Sequence, residues 1–187
     1  MRVAVLDHGM GNLRSVAKAL EAAGGDVTVA ARPADVRRAD KLCVPGQGIF
    51  GRCMDNLSSR GLDEVVRAWI ADGRPYLGIC LGMQVLFDVS EERGPRRGLG
   101  IIGGRVTRLP SSATVPHIGW NEVGGDWYYF DHSYVAQPSD AAVVRGWCDH
   151  GTRFAAWVQR GATTAVQFHP EKSSRSGLRL LGEWLAA

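Results

Sequence analysis

From Arg2 to Ile79 the chain alternates short apolar runs with segments whose apolar residues recur at helical spacing, and this rhythm limits the folds open to it. Arg2–Leu6 (RVAVL) reads as a strand, and Leu13, Val16, Ala17 and Leu20 then repeat as on one face of a helix that Gly24-Gly25 closes. Asp26–Ala30 (DVTVA) reads as a second strand, and Pro33 opens a short basic helix, PADVRRAD. Lys41–Val44 (KLCV) is a third strand, stopped by Pro45-Gly46. Leu62, Val65, Val66, Trp69 and Ile70 form a strong amphipathic helix, Tyr76–Ile79 is a fourth strand, and Met83–Phe87 reads as helical behind it. Strand–helix alternation of this kind implies βαβ units, hence a largely parallel central sheet with helices on both faces.

The second half differs. Between Gly98 and Val166 lie short β-type runs (GIIGGRVTRL, WYYF, SYVA, AAVVRGW, FAAWV, TTAVQF) broken by Gly, Pro and Asp, which predicts a β-rich antiparallel portion attached to the parallel core. A last helix is expected over roughly Ser176–Leu185, with Leu178, Leu181 and Leu185 on one side. No repeat, low-complexity tract or linker divides the chain, so residues 1–187 are expected to form one α/β domain. A net charge of +3 without a basic block argues against nucleic acid and membrane surfaces as partners. The N-terminus lacks a secretory leader pattern, and the four cysteines are far apart with no CxxC pair, so a reducing, cytoplasmic setting is expected.

Chemistry concentrates at Pro75–Phe87, PYLGICLGMQVLF. Gly78-Ile79-Cys80-Leu81-Gly82 has the G-x-nucleophile-x-G form of a nucleophile elbow, with sulfur in place of a serine oxygen. The flanking glycines permit close approach of strand and helix through a sharp turn. A helix starting behind Cys80 would direct its first amides toward the sulfur and favour the thiolate. A nucleophile needs a base and the base an orienting group. Gln167-Phe168-His169-Pro170-Glu171 offers both, because in extended chain His169 and Glu171 share a face. A buried core cysteine and a surface histidine are the plainer alternatives. The histidines do not cluster with cysteines at ligand spacing, so no metal site is expected. Gly9-Met10-Gly11-Asn12 is an incomplete dinucleotide fingerprint, and no cofactor is expected.

YLGICLGMQVLF (Tyr76–Phe87) resembles the nucleophile motif of the class I, triad-type glutamine amidotransferases, and FHPE (Phe168–Glu171) resembles their His-x-Glu motif. Asp7–Val16 (DHGMGNLRSV), Val44–Phe50 (VPGQGIF), Gly98–Ile102 (GLGII), Val115–Val123 (VPHIGWNEV) and His132-Ser133-Tyr134 narrow the resemblance to one branch of that family. That branch comprises glutaminase subunits that serve a (β/α)8-barrel cyclase in histidine biosynthesis. The resemblance implies a Cys80–His169–Glu171 triad that hydrolyses glutamine to glutamate and ammonia through a thioester. It implies oxyanion donors at the Leu81 amide and in the Pro45–Gly48 loop, with Gln47 as the donor residue there. It also implies substrate contacts at Gly48, Gln84, His132, Ser133 and Tyr134, the latter mostly through backbone. Asn12, Gly46, His117, Trp120 and Asn121 are expected at the partner interface. Gln47 stands where the family usually has a small apolar residue, and His8 where tyrosine is usual. The resemblance further implies slow glutamine hydrolysis by the isolated chain. A glutaminase for another acceptor, such as a sugar, remains open at this point, as do a stand-alone cysteine hydrolase or redox protein and a non-catalytic docking module.

Overall fold

The computed structural model describes residues 1–187. In chain order the elements are β1 Arg2–Leu6, α1 Leu13–Ala22, β2 Asp26–Ala30, α2 Pro33–Val36, β3 Lys41–Val44, α3 Phe50–Ser59, α4 Leu62–Ala71, β4 Tyr76–Ile79 and α5 Leu81–Gln84. They continue as β5 Phe87–Ser90, β6 Arg96–Arg97, β7 Ile102–Arg108, β8 His117–Val123, β9 Asp126–His132, β10 Tyr134–Pro138, β11 Val144–Asp149, β12 Arg153–Arg160, β13 Thr163–Val166 and α6 Ser174–Ala186.

A seven-stranded sheet runs β11-β12-β13-β4-β3-β1-β2. The pairs from β13 to β2 are parallel, and β11 and β12 extend the sheet antiparallel at the β13 edge. Alternation along each strand divides the core between two faces. Val3, Val5, Cys43, Leu77 and Ile79 point to the side covered by α1, α6 and the β8–β9 hairpin. Ala4, Leu6, Leu42, Val44 and Tyr76 point to the side covered by α3, α4 and a second sheet, ordered β10-β7-β5-β6. Fully burying a Leu or Val side chain on either face contributes about 1.5–3 kcal/mol. No helix is long and apolar enough to cross a membrane.

The helices obey local chemistry. Asn12 caps α1 by accepting from the Ser15 amide, and Gly24 ends the segment at φ +101°. Acidic Asp63 and Glu64 occupy the first turn of α4, where the helix dipole favours them.

Several expectations need correction. Helix α3, absent from the sequence reading, buries Phe50, Cys53, Met54 and Leu57, an i, i+3, i+4, i+7 series. The helix expected over Met83–Phe87 is a single turn ending at Gln84, after which Phe87 starts β5. Every residue from Cys80 to Phe87 is buried, so apolar periodicity could not distinguish helix from strand there. The basic helix from Pro33 ends at Val36, short of the PADVRRAD reading. In α6 the core stripe is Gly177, Leu180, Leu181, Trp184 and Leu185, while Leu178 is 42% exposed. β5, which precedes the expected β-rich portion, joins it by pairing parallel with β7.

Candidate active site

Cys80 sits where β4 turns into α5, and its backbone is strained, with φ 53° and ψ −106°. Such values in a residue with a side chain persist only when the surroundings over-determine them. Here the Cys80 amide donates to Val166 O at 2.7 Å, and the Cys80 carbonyl accepts from the Met83 and Gln84 amides at 3.0 and 3.2 Å. A side chain at Gly82 would collide with the Val44 carbonyl and one at Gly78 with Gly82, so both glycines are needed for the close approach. The Tyr76 hydroxyl donates to Gly82 O at 2.8 Å and locks the turn from below.

His169 follows β13, and its backbone is pinned at both ends. Its amide donates to Tyr129 O at 2.8 Å, and its carbonyl accepts from the Ser173 hydroxyl at 2.6 Å. The His169 Nδ1–H donates to Glu171 Oε1 at 2.8 Å, with both side chains almost wholly shielded from solvent. Glu171 thereby fixes the tautomer that leaves Nε2 free as a base. Nε2 is buried and has no well-formed hydrogen bond of its own. Burial disfavours the imidazolium, but the neighbouring Cys80 and Glu171 side chains outweigh it and raise the His169 pKa. The pair is therefore poised to exchange a proton with the sulfur, and catalytic hydrogen bonds of this kind tighten once charge develops.

Cys80 opens onto a cavity of about 270 Å³ lined by Gln47, Gly48, Leu81, Gln84, Glu92, Pro116, Asp131, His132, Ser133 and Tyr134. Gly48, Gln84, His132, Ser133 and Tyr134, expected around the substrate, are thus brought to one place. Gln84 is buried, with Nε2 donating to Tyr134 O at 3.1 Å and to Gln167 Oε1 at 3.0 Å. The Gln167 Nε2–H in turn donates to Cys80 Sγ at 3.4 Å. Glu92, Asp131 and Gln167 were not singled out from the sequence. For Gln167 a signal existed, because it stands two residues before His169 in extended chain and shares its face. Glu92 and Asp131 carry no local motif.

The oxyanion donors are not arranged as expected. The Leu81 amide donates to the Gly46 carbonyl at 3.4 Å, so it is occupied. Because N–H and C=O of one trans peptide point in opposite directions, the Gln47 amide faces away from Leu81 and packs by Gly11. The loop is held upstream by His8, fully buried, whose Nε2–H donates to Pro45 O at 2.7 Å. Downstream it is held by the Glu92 carboxylate, which accepts from the Phe50 amide at 2.7 Å. His8 thus lies inside the protein, and burial lowers its pKa.

Two expected interface residues are interior. His117 is 3% exposed and stacks between Phe130 and His150, at centroid distances of 4.6 and 3.8 Å. Gly46 is buried against Leu81. Asn12 and Trp120 are exposed, and Asn121 is half-buried. His117 belongs to a polar chain in which Tyr134 O accepts from His132 Nδ1–H at 3.0 Å, so His132 Nε2 accepts from His117 Nδ1–H at 3.0 Å. Asn121 donates to His117 Nε2 at 3.3 Å. Burial pushes the His132 pKa down to about 3 and that of His117 down to about 4, consistent with two neutral rings. No group of three or more His, Cys, Asp or Glu side chains is arranged to hold a metal ion.

A family model for class-I glutamine amidotransferases matches residues 4–184. "Imidazole glycerol phosphate synthase subunit HisH" of Symbiobacterium thermophilum is 46% identical, over 98% of this chain and 92% of that protein. The subunit of the same name from Aquifex aeolicus is also 46% identical, over 97% of this chain and 94% of that protein. "Imidazole glycerol phosphate synthase hisHF, chloroplastic" of Arabidopsis thaliana is 44% identical, over 98% of this chain and 34% of that protein. Among solved structures, a glutamine amidotransferase crystal structure superimposes with a TM-score of 0.78 at 22% identity, covering 99% of both chains. A putative GMP synthase component from Thermoplasma acidophilum gives a TM-score of 0.70 at 19% identity, covering 100% of this chain and 94% of that one. These structural matches bear on the fold alone.

Proposed function

The chain belongs to the class-I glutamine amidotransferase family, and we propose that it is the glutaminase subunit of an imidazole glycerol phosphate synthase. It hydrolyses glutamine to glutamate and ammonia and passes the ammonia to a (β/α)8-barrel cyclase, which makes imidazole glycerol phosphate and AICAR in histidine biosynthesis. The curated relatives favour this acceptor over a sugar. The observation that carries the chemistry is the strained Cys80 opening onto a cavity beside the buried His169–Glu171 pair.

His169 Nε2 takes the Cys80 proton, Sγ attacks the side-chain amide carbon of glutamine, and the same proton is then given to the departing ammonia. The γ-glutamyl thioester that remains is attacked by water, with His169 again taking the proton. Glu171 orients the ring and balances its charge in both halves. Each tetrahedral intermediate bears an oxyanion that needs aimed donors, one of which is worth about 3–4 kcal/mol. Rotation of the Gly46–Gln47 peptide would withdraw the carbonyl from Leu81 and present both amides to that oxygen. The carboxylates of Glu92 and Asp131 suit the α-ammonium of glutamine, and Gln84, Ser133 and Tyr134 line the same cavity. The whole of residues 1–187 acts as one glutaminase domain in the cytoplasm. Asn12, Trp120 and Asn121 are retained as interface residues.

Ammonia is mostly protonated at neutral pH and lost to water, so transfer inside a complex is the chemical reason for a partner. The test uses the complex with the barrel cyclase, supplied with either glutamine or an ammonium salt. Cys80→Ser should abolish synthesis from glutamine and leave synthesis from ammonium intact. Glutamine-dependent synthesis surviving in the variant would refute the assignment.

A further inference from the structure

The sulfur of Cys80 has a second polar neighbour besides His169. Gln167 is 0% exposed, and its amide is pinned by a 2.8 Å bond to Ala156 O on β12. Its side chain reaches Cys80 Sγ with Nε2 at 3.4 Å. Resting on the reading of Cys80 as nucleophile, we propose that Gln167 is a further catalytic residue whose side-chain N–H donates to the sulfur and holds it as the thiolate.

A side-chain amide has two ends, and only one of them stabilises a negative charge, so its orientation decides the claim. The orientation is dictated by main chain. Tyr134 O can only accept, which places the Gln84 NH2 group toward it, at 3.1 Å. The second hydrogen of that group is then directed at Gln167, 3.0 Å away, which must answer with its carbonyl oxygen. Gln167 is left with its NH2 group facing Sγ. His132 Nδ1 donates to the same Tyr134 carbonyl, which keeps that carbonyl anchored. A neutral N–H bonded to a charged sulfur is stronger than the same bond to a thiol, so the contact favours ionisation without introducing a cation.

The ionisable groups around Cys80 are His169 and Glu171 beyond β13, Glu92 between β5 and β6, Asp131 and His132 on β9, the latter held neutral by burial, and Tyr134 on β10. Of these only His169 brings positive charge, while the two cavity carboxylates oppose the thiolate. An uncharged donor on the β13 side offsets that opposition and leaves His169 free to move protons. A merely space-filling role for Gln167 makes a different prediction, because an isosteric apolar residue would then serve equally well.

The test is the pH profile of Cys80 alkylation by iodoacetamide in the full chain, with the labelled site mapped by mass spectrometry. The other cysteines are buried, with Cys53 and Cys148 each pushed up to about 12 by burial, so they stay unlabelled. Gln167→Leu should move the profile up by roughly one pH unit, a tenfold loss of thiolate at a given lower pH. In the complex it should lower kcat at neutral pH and recover toward the parent rate as pH rises, with KM for glutamine little changed. Gln84→Leu, which frees the Gln167 amide without touching sulfur, should shift the alkylation profile in the same direction by less. If Gln167→Leu does not fold, Gln167→Met and the Gln84 variant carry the same test. An unmoved profile in the folded Gln167 variant overturns the proposal while leaving Cys80 as nucleophile. Absence of labelling at Cys80 in the parent chain overturns both.

Discussion

The two sides of Cys80 are built differently. Toward β13 everything is fixed: His169 is pinned through its amide and carbonyl, Glu171 is locked on Nδ1, and Gln167 is oriented through Gln84. Toward the Pro45–Ile49 loop the ends are held, by His8 and Glu92, but the middle peptide presents a carbonyl where the oxyanion needs donors. The groups for proton transfer are therefore in place in the free chain, and those that stabilise the tetrahedral intermediate are not. This division is useful for a subunit whose product would be wasted without an acceptor. The fast-reversing chemistry is always ready, and the step that commits glutamine awaits one peptide rotation.

Two substitutions separate the sides. Glu171→Gln is expected to have the larger effect, because the wrong ring tautomer and the loss of the balancing charge disable proton transfer. Glutamine turnover should fall by roughly 10²- to 10⁴-fold, and iodoacetamide alkylation of Cys80 should slow as well. Rates that fall for turnover alone would show that Glu171 does not act on the sulfur's ionisation. Gly46→Ala should have the smaller effect and touch only the loop side. A Cβ there would lie 2.6 Å from Leu81 Cβ and 3.2 Å from the Gly82 amide, so the loop must move off Leu81. Turnover with partner present should drop by about 10²- to 10³-fold, the worth of one oxyanion donor, while alkylation changes less than about threefold. Parallel loss of both would mean that the loop also shapes the thiolate, and the division would fail.

Much of the fixed side could be read in the sequence. The strands are short apolar runs, the glycines at 78 and 82 mark the tight turn, and the His169–Glu171 spacing of two forces a shared face in extended chain. The same rule applied to His117–Val123 would have placed His117 and Asn121 opposite Ile118 and Trp120. Alternation does not say which face is inside, and the apolar Ile118 and Trp120 lie on the exposed one, so the interior position of His117 is set by tertiary packing. Helix α3 was encoded, in Phe50, Cys53, Met54 and Leu57. Other features leave no such trace. The run from Cys80 to Phe87 is apolar on every side, so its single helical turn is set by tertiary bonding, with Ile101 and Ile102 amides claiming the Leu86 carbonyl. The direction of the Gly46–Gln47 peptide is a property of backbone, and no side-chain pattern reports it. Glu92 reaches the cavity from a turn in the second sheet, a placement fixed by long-range packing alone.

The central claim is that the nucleophile side of the site is assembled in the free chain while the oxyanion site is not. It is tested most directly by measuring two rates on one sample, Cys80 alkylation by iodoacetamide and glutamine hydrolysis, with and without the barrel cyclase carrying a ligand in its acceptor site. The account predicts that hydrolysis rises by roughly 100-fold or more on forming the liganded complex. Alkylation, which develops no oxyanion, should stay within about threefold. Hydrolysis already at its full rate in the isolated chain, or alkylation rising in step with it, would contradict the account.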